Sequence, residues 1–151
     1  APLMGLLLLG LKAVKRSETA ALAPFHFGLG VLTAMLLAWT AKAAFALPRP
    51  SELHANNMAW VIVDPESLYA FPSGHAVYTA AVVVCLWPLG PWPLRLLLLA
   101  LASAVGRSRV ALGAHFPADV LAGFLMGATS MAVTRRIAQS VEQSVGNWRA
   151  Q

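Results

Sequence analysis

Three short clusters hold most of the side chains in this sequence that could do chemistry. In chain order they are Lys42-x6-Arg49-Pro50, Pro72-Ser73-Gly74-His75 and Ser108-Arg109-x5-His115-x3-Asp119. Taken singly, each has an ordinary structural explanation, such as a basic side chain at a helix end or a turn that caps a helix. Together they supply three cations, two histidines and a carboxylate, which is the composition of an anion site with a nucleophile.

The cationic side chains predict that the anion is a phosphate. Lys42, Arg49 and Arg109 can neutralise it, the two arginines through paired hydrogen bonds. Ser73 and Gly74 lie where an apolar run begins, so the N–H groups and the dipole of a helix can face the same anion. Gly74 also allows a close approach of the backbone.

The histidines predict phosphoryl transfer. His115 and Asp119 are four residues apart and share one face of a helix, so the carboxylate could fix the imidazole tautomer and leave the other ring nitrogen free to attack. His75 belongs to another helix and could act as general acid on the leaving oxygen. Because Asp119 is the one carboxylate of the clusters, we expect no metal and no cofactor, with cations taking the charge that Mg²⁺ would carry.

The composition predicts an integral membrane protein. Of 151 residues, 58% are hydrophobic and only 11% charged, and the formal net charge is +5. An average soluble domain has about 25% charged residues. Disordered chains, nucleic-acid-binding arms and disulfide-stapled secreted domains fit poorly, since the chain has one cysteine and few basic residues. We therefore expect membrane lipids, and no nucleic acid, as partners.

The elements that must position the clusters are transmembrane helices. We predict an all-α, polytopic bundle that forms a single membrane-embedded domain over residues 1–151, with the catalytic motifs between 42 and 119. The predicted spans are Thr19–Ala41, His75–Trp87, Leu94–Val105 and Phe116–Thr134. The short apolar run Pro2–Leu11 is interpreted as the remnant of a further helix. Gly123 and Gly127 predict a close helix contact within the fold, with dimerisation as the weaker alternative.

The basic residues predict the orientation of the bundle. If four helices alternate, seven basic residues fall on one side and four on the other. The seven are Lys12, Lys15, Arg16, Arg95, Arg135, Arg136 and Arg149, and the four are Lys42, Arg49, Arg107 and Arg109. The positive-inside rule places the larger group in the cytoplasm. All three clusters then face the periplasm or the cell exterior.

The clusters closely resemble the motifs of the type 2 phosphatidic acid phosphatase (PAP2) superfamily, and the chain looks like its bacterial membrane lipid phosphatase branch. The family pattern is Lys-x6-Arg-Pro, Pro-Ser-Gly-His and Ser-Arg-x5-His-x3-Asp, and all three occur here in order. The resemblance covers about Thr19 to Thr134, the catalytic half of the usual six-helix unit. We interpret the first family helices as missing from this sequence or reduced to Pro2–Leu11.

The resemblance implies a role for each matching residue. His115 would be the nucleophile that forms a phosphohistidine, Asp119 its partner, and His75 the acid for the leaving group. The implied phosphate-binding residues are Lys42, Arg49, Ser73, Gly74 and Arg109.

The function expected from these features is a lipid phosphatase at the outer face of a bacterial inner membrane. Candidate substrates are undecaprenyl diphosphate, phosphatidate, phosphatidylglycerophosphate and lipid A phosphates. Soluble acid phosphatases and vanadium haloperoxidases share the motifs, but their helices should have polar outer faces and more charge. A non-catalytic transporter or scaffold with an anion pocket is a further alternative. The oligomeric state is left open.

Overall fold

The protein is described here by a computed structural model that covers residues 23–53 and 69–149. Every regular element in these two ranges is helical. In chain order the elements are α1 (Ala23–Phe45), α2 (Pro50–Leu53), α3 (Gly74–Leu86), a 3-10 turn (Trp87–Leu89), α4 (Trp92–Ala111) and α5 (Pro117–Arg149). The prediction of an all-helical chain is confirmed for the described residues.

The helices extend beyond the predicted apolar segments. The first continues to Phe45 and so includes Lys42, and α5 runs to Arg149, well past the predicted end at Thr134. The reason is that a helix ends where its backbone hydrogen bonds end. A polar side chain does not interrupt those bonds, so the helix can extend beyond its apolar segment. Proline marks the start of α4 and α5, where its missing N–H costs nothing.

Within residues 23–53 and 69–149, two helical segments are long and apolar enough to cross a membrane, Phe25–Phe45 and Pro117–Ser144. The apolar stretch Gly74–Leu89 is shorter than a full span, and α4 carries Arg95, Arg107 and Arg109. Four spans therefore remain a prediction, of which two are supported by length and composition. The predicted remnant Pro2–Leu11 lies outside the described residues.

The bundle is held together where α3 lies against α5. A Cβ atom added at Gly123 would be 2.6 Å from the Ser73 carbonyl oxygen and 2.9 Å from Cβ of Ala76, and one at Gly127 would overlap the Val77 carbonyl. Only glycine allows the two backbones to approach so closely. The predicted close contact within the fold is confirmed, and it fixes the start of α3 against α5.

We predict that Gly127→Ala destabilises the protein by about 1–3 kcal/mol, because the new methyl group meets backbone that cannot move without displacing α3. Thermal unfolding in detergent measures the effect as a lower Tm. Gly28→Ala is the matched control: a Cβ there meets nothing within 4 Å, and alanine favours the helix. An unchanged Tm for Gly127→Ala would contradict the contact.

The four long helices meet at one end of the bundle. The C-terminal parts of α1 and α4 and the N-terminal parts of α3 and α5 converge there, since Lys42 and His75 line one cavity and Arg109 reaches His75. The core beside this end is made of small side chains, with Ala34, Ala38 and Val77 almost fully buried. Large apolar side chains such as Leu32, Leu36 and Leu125 lie on the outside, as expected for a lipid-facing surface.

Candidate active site

The segment that follows α1 and the segment that precedes α3 are hydrogen-bonded to each other at this end of the bundle. The amide of Ala70 donates a hydrogen bond to the Leu47 carbonyl (2.8 Å), and Lys42 Nζ donates one to the Tyr69 carbonyl (2.7 Å). The segment that precedes α3 is thereby tied to the end of α1. Ala70 is fully buried, so its position is closely fixed.

The turn between α4 and α5 is hydrogen-bonded to the segment that follows α1. Arg49, which is buried, donates from Nη1 to the Ala114 carbonyl (3.1 Å), and the Ser51 amide donates to the Gly113 carbonyl (3.1 Å). Gly113 has φ of 65°, a left-handed conformation that favours glycine and lets the chain turn from α4 toward α5. These contacts bring His115 close to Arg49.

A cavity of about 480 Å³ opens at this point, and five of the predicted site residues line it. They are Lys42, Arg49, Gly74, His75 and His115. Met35, Ala38, Trp39 and Val105 form an apolar part of the wall. A cavity with cationic side chains at one part and hydrocarbon at another fits an amphipathic molecule with an anionic head.

The imidazole of His115 is held by a backbone carbonyl. Nδ1 lies 2.7 Å from the Ala70 carbonyl oxygen, and the residue is buried. Because a carbonyl oxygen only accepts hydrogen bonds, Nδ1 must carry the proton. The other ring nitrogen, Nε2, then has a free lone pair, which is the form that a nucleophile requires.

Burial lowers the pKa of His115 from 6.5 to about 4. Desolvation of the imidazolium is the main cause, and the positive charges of Arg49, Lys42 and Arg109 act in the same direction. The hydrogen bond to Ala70 acts in the opposite direction and is outweighed. His115 is therefore neutral at neutral pH.

We predict that the ring resonances of His115 titrate with a midpoint near pH 4, instead of the value near 6.5 of an unperturbed imidazole. Protonation is disfavoured in the folded protein, so the neutral form persists as the pH falls until that midpoint is reached. NMR of histidine-labelled protein in detergent measures the titration, and His115→Asn assigns the signal by its loss. A midpoint near 6.5 would contradict the burial of this side chain.

Asp119 lies beside His115, as the i, i+4 spacing predicts, at ion-pair distance but not at hydrogen-bond distance. Its Oδ2 is 3.8 Å from Nδ1, beyond hydrogen-bond distance, and instead accepts the Phe116 amide at 2.8 Å. This contact is one half of a capping box. In a capping box the side chain of the third helical residue accepts the backbone amide of the residue that precedes the helix. The i, i+4 spacing predicted that the carboxylate would hold the imidazole. In the structure the carboxylate accepts its hydrogen bond from the amide at the start of α5.

Ser73 is fully buried, and its hydroxyl oxygen has no hydrogen-bond partner among the described residues. Its amide donates to the Asp119 carbonyl (3.0 Å), so this N–H does not face an anion as the sequence predicted. The amides of Gly74 and His75, in the first turn of α3, have no acceptor within the helix. These amides and the Ser73 hydroxyl are the donors that the start of α3 offers.

His75 is exposed at the cavity, and its Nε2 lies 3.5 Å from Arg109 Nη1. Arg109 Nε lies 3.5 Å from the hydroxyl oxygen of Ser108. Arg109 of the third sequence cluster thus lies next to His75 of the second cluster. All eight predicted residues lie at this one end of the bundle, although Asp119 and the Ser73 amide make other contacts than expected.

Sequence reasoning missed the backbone groups of the site. The carbonyls of Tyr69, Ala70 and Ala114 hold Lys42, His115 and Arg49, respectively. No pattern of side chains points to them, because every residue has the same carbonyl and only the folded chain decides where it is directed.

The fold and the site define a helical protein with a cluster of cationic side chains and a neutral histidine around one cavity at the end of an apolar bundle. The sequence profile of the PAP2 superfamily matches residues 23–142. The chain belongs to this superfamily.

Curated relatives and a solved structure share this assignment. The chain is 32% identical over 127 residues to the lipid A 1-phosphatase of Rhizobium johnstonii, covering 79% of the chain and 52% of the relative. It is 31% identical over 99 residues to the undecaprenyl-diphosphatase of Sulfolobus acidocaldarius, covering 66% and 47%. The chain therefore spans about half the length of these relatives.

One structural neighbour is a transmembrane PAP2-type phosphatidylglycerolphosphate phosphatase from Bacillus subtilis. It superposes with a TM-score of 0.62 at 27% identity, covering 92% of this chain and 69% of that one. The arrangement of helices described above is thus that of a PAP2 protein.

Proposed function

We propose that this chain carries the catalytic part of an integral membrane lipid phosphatase, which hydrolyses a phosphate monoester or diphosphate of a lipid. The observation that carries the proposal is the cavity in which Lys42, Arg49 and the neutral imidazole of His115 meet an apolar wall. Lipid phosphates and diphosphates have this same combination of a charged head and a hydrocarbon chain. The names of the relatives, all phosphatases of lipid-linked substrates, agree with it.

In the proposed mechanism His115 Nε2 attacks phosphorus, the bond from phosphorus to the leaving oxygen breaks, and His75 gives that oxygen a proton. The phosphohistidine so formed is then hydrolysed by water, with His75 accepting the proton of the water. Lys42, Arg49 and Arg109 stabilise the charge on the transferred phosphoryl group. The Ser73 hydroxyl and the first amides of α3, beginning at Gly74, complete the phosphate site.

The proposed membrane arrangement has four spans, formed by α1, α3, α4 and α5, with the site at the periplasmic or outer face of a bacterial inner membrane. Arg95, which lies over the ring of Trp87 at the far end of α3 from the site, supports this orientation. A basic residue at that end agrees with the positive-inside rule, and an aromatic residue beside it is typical of either membrane interface.

We predict that phosphate release needs no divalent metal. The described residues contain no group of three or more histidine, cysteine, aspartate or glutamate side chains that could hold a metal ion. Wild-type protein in detergent, with EDTA present, is expected to release phosphate from at least one of undecaprenyl diphosphate, phosphatidate, phosphatidylglycerophosphate or a lipid A phosphate. Vanadate, which mimics a pentacoordinate phosphoryl group, is expected to inhibit this reaction.

The same measurement on the four lipids also tests the proposed function. Arg49→Ala, which removes a buried cation from the cavity, is the negative control, and Arg149→Ala at the end of α5 is the matched arginine control. Activity lost in EDTA and restored by Mg²⁺ would contradict the metal-free mechanism. Failure of the wild type on all four lipids, with or without Mg²⁺, would contradict the proposed function.

A further inference from the structure

We propose that the end of α3 opposite the catalytic site binds the headgroup of an anionic phospholipid. Arg95 holds the phosphate of this headgroup, and Arg135 adds positive charge on the other side of the same helix end. The ligand is a phosphodiester, whereas the proposed substrates are phosphate monoesters and diphosphates. The site is therefore a second one, which rests on the proposed membrane arrangement and does not depend on turnover.

The Arg95 side chain is fixed against the end of α3. Its Nε donates a hydrogen bond to the Trp87 carbonyl (3.1 Å), and its guanidinium carbon lies 5.5 Å from the centre of the Trp87 ring. The side chain is half-buried, and Leu98, one turn further along α4, is buried. A guanidinium held at Nε and over an indole ring loses little freedom when it binds a further group.

The two terminal nitrogens of Arg95 are the donors that remain. Nη1 and Nη2 make no hydrogen bond with any residue in the described ranges, and no carboxylate there lies within 4 Å of the guanidinium. This fork of N–H groups matches two oxygens of one phosphate. Because a half-buried cation beside hydrocarbon is costly without a partner, binding of an anion at this position is favourable.

Arg135 lies at the same height in the bundle as the end of α3. The helices α3 and α5 run in the same direction, and Gly127 packs on Val77. Eight residues further along each helix, Arg135 is therefore level with Cys85, and its charge acts on the Cys85 thiol. Arg135 is exposed, and no described carboxylate lies within 4 Å of its guanidinium. Two arginines without an acidic neighbour thus flank the end of α3.

The length of α3 places these arginines close to the lipid headgroups. The apolar stretch Gly74–Leu89 is shorter than a full span, at about 24 Å. The hydrocarbon of a bilayer is about 30 Å thick. With the catalytic site at one surface, the end of α3 meets the opposite headgroup layer from its inner edge. A bilayer accommodates a short segment by thinning and by side chains that reach for the headgroups, so the anion that Arg95 meets is a lipid phosphate.

The charge at this end favours a negatively charged lipid over a zwitterionic one. Every phospholipid has a phosphate, but a choline headgroup also brings a cation, which the two arginines repel. Arg136 is exposed next to Arg135 and adds a third positive charge. Trp92, 65% exposed at the start of α4, is typical of the level of the headgroups. Clustered basic residues beside a membrane helix are a known means of binding anionic lipids.

Native mass spectrometry of the protein in detergent measures this binding, with phosphatidylglycerol as the anionic probe and phosphatidylcholine as the neutral one. We expect the wild type to bind phosphatidylglycerol more tightly by about fivefold or more, which is the contribution of one arginine near a charged lipid. Arg95→Gln is expected to lose most of this preference. Arg95→Lys keeps the charge without the fork, so an intermediate preference is expected.

Two controls locate the site. Arg107→Gln changes an exposed arginine of the same helix near its catalytic end, and the preference is expected to stay as in the wild type. Arg49→Ala removes a cation of the catalytic cavity, and the preference is expected to persist there as well. Thermal unfolding shows whether Arg95→Gln is folded. Arg135→Gln changes an exposed side chain and is expected to weaken the preference in the same direction.

Equal binding of the two lipids by the wild type would overturn the proposal. So would an unchanged preference in folded Arg95→Gln or, if that variant does not fold, in Arg135→Gln. Loss of the preference in Arg49→Ala would assign the lipid to the catalytic cavity instead, and displacement of the lipid by excess inorganic phosphate would indicate a site for a free anion. None of these results decides whether the protein hydrolyses lipids, which the release of phosphate measures separately.

Discussion

Replacing His115 by asparagine is expected to abolish phosphoenzyme formation and to lower turnover by about 10⁴-fold or more. The imidazole is neutral, its Nδ1 proton is bound by the Ala70 carbonyl, and Nε2 is the nitrogen left to attack. Asparagine offers no nucleophile at that position. Rapid quenching of a reaction with ³²P-labelled lipid phosphate measures the acid-labile phosphohistidine, and phosphate release measures turnover.

The matched control for this variant is His26→Asn. His26 lies in α1 and lines a groove with Val141 and Glu142 of α5, away from the catalytic cavity, so its loss is expected to leave phosphoenzyme formation unchanged. Thermal unfolding of both variants separates lost chemistry from lost folding. A normal yield of phosphoenzyme in His115→Asn would remove His115 from the role of nucleophile.

Replacing His75 by alanine is expected to slow hydrolysis of a lipid monophosphate by about 10²–10⁴-fold, but that of an activated aryl phosphate far less. A lipid alcohol has a high pKa and leaves only if a proton is delivered to its oxygen, whereas an activated phenolate leaves without help. His75 is exposed at the cavity, across from His115, where a leaving oxygen can be reached. The ratio of kcat/KM on the two substrates is the measurement.

Tyr78→Ala is the matched control, since Tyr78 lines the same cavity from the next turn of α3 and is not assigned a proton transfer. It is expected to leave the ratio between the two substrates closer to that of the wild type than His75→Ala does. An equal loss on both substrates in His75→Ala would point to phosphate binding as the role of His75. A phosphohistidine trapped at position 75 would reverse the two assignments.

The sequence by itself determined the class of protein and predicted which residues would meet at one end of the bundle. Charged residues are scarce in this chain, so the ionisable residues of the three clusters stand out. The clusters run from Lys42 to Asp119 and contain the eight predicted site residues. The small residues Gly123 and Gly127 also predicted their helix contact correctly, because a position that needs glycine for a close approach is visible in the sequence alone. Membership in the PAP2 superfamily agrees with these motifs.

The tertiary structure decided which groups touch which. Spacing along a helix placed Asp119 on the face of His115, but it could not show that the start of α5 would use the carboxylate for the Phe116 amide. Nor could it show that the Ala70 carbonyl, 45 residues before His115, would arrive at Nδ1. Side-chain types are written in the sequence, whereas the direction of a backbone carbonyl exists only once distant segments have packed, and here that direction fixes the tautomer of His115.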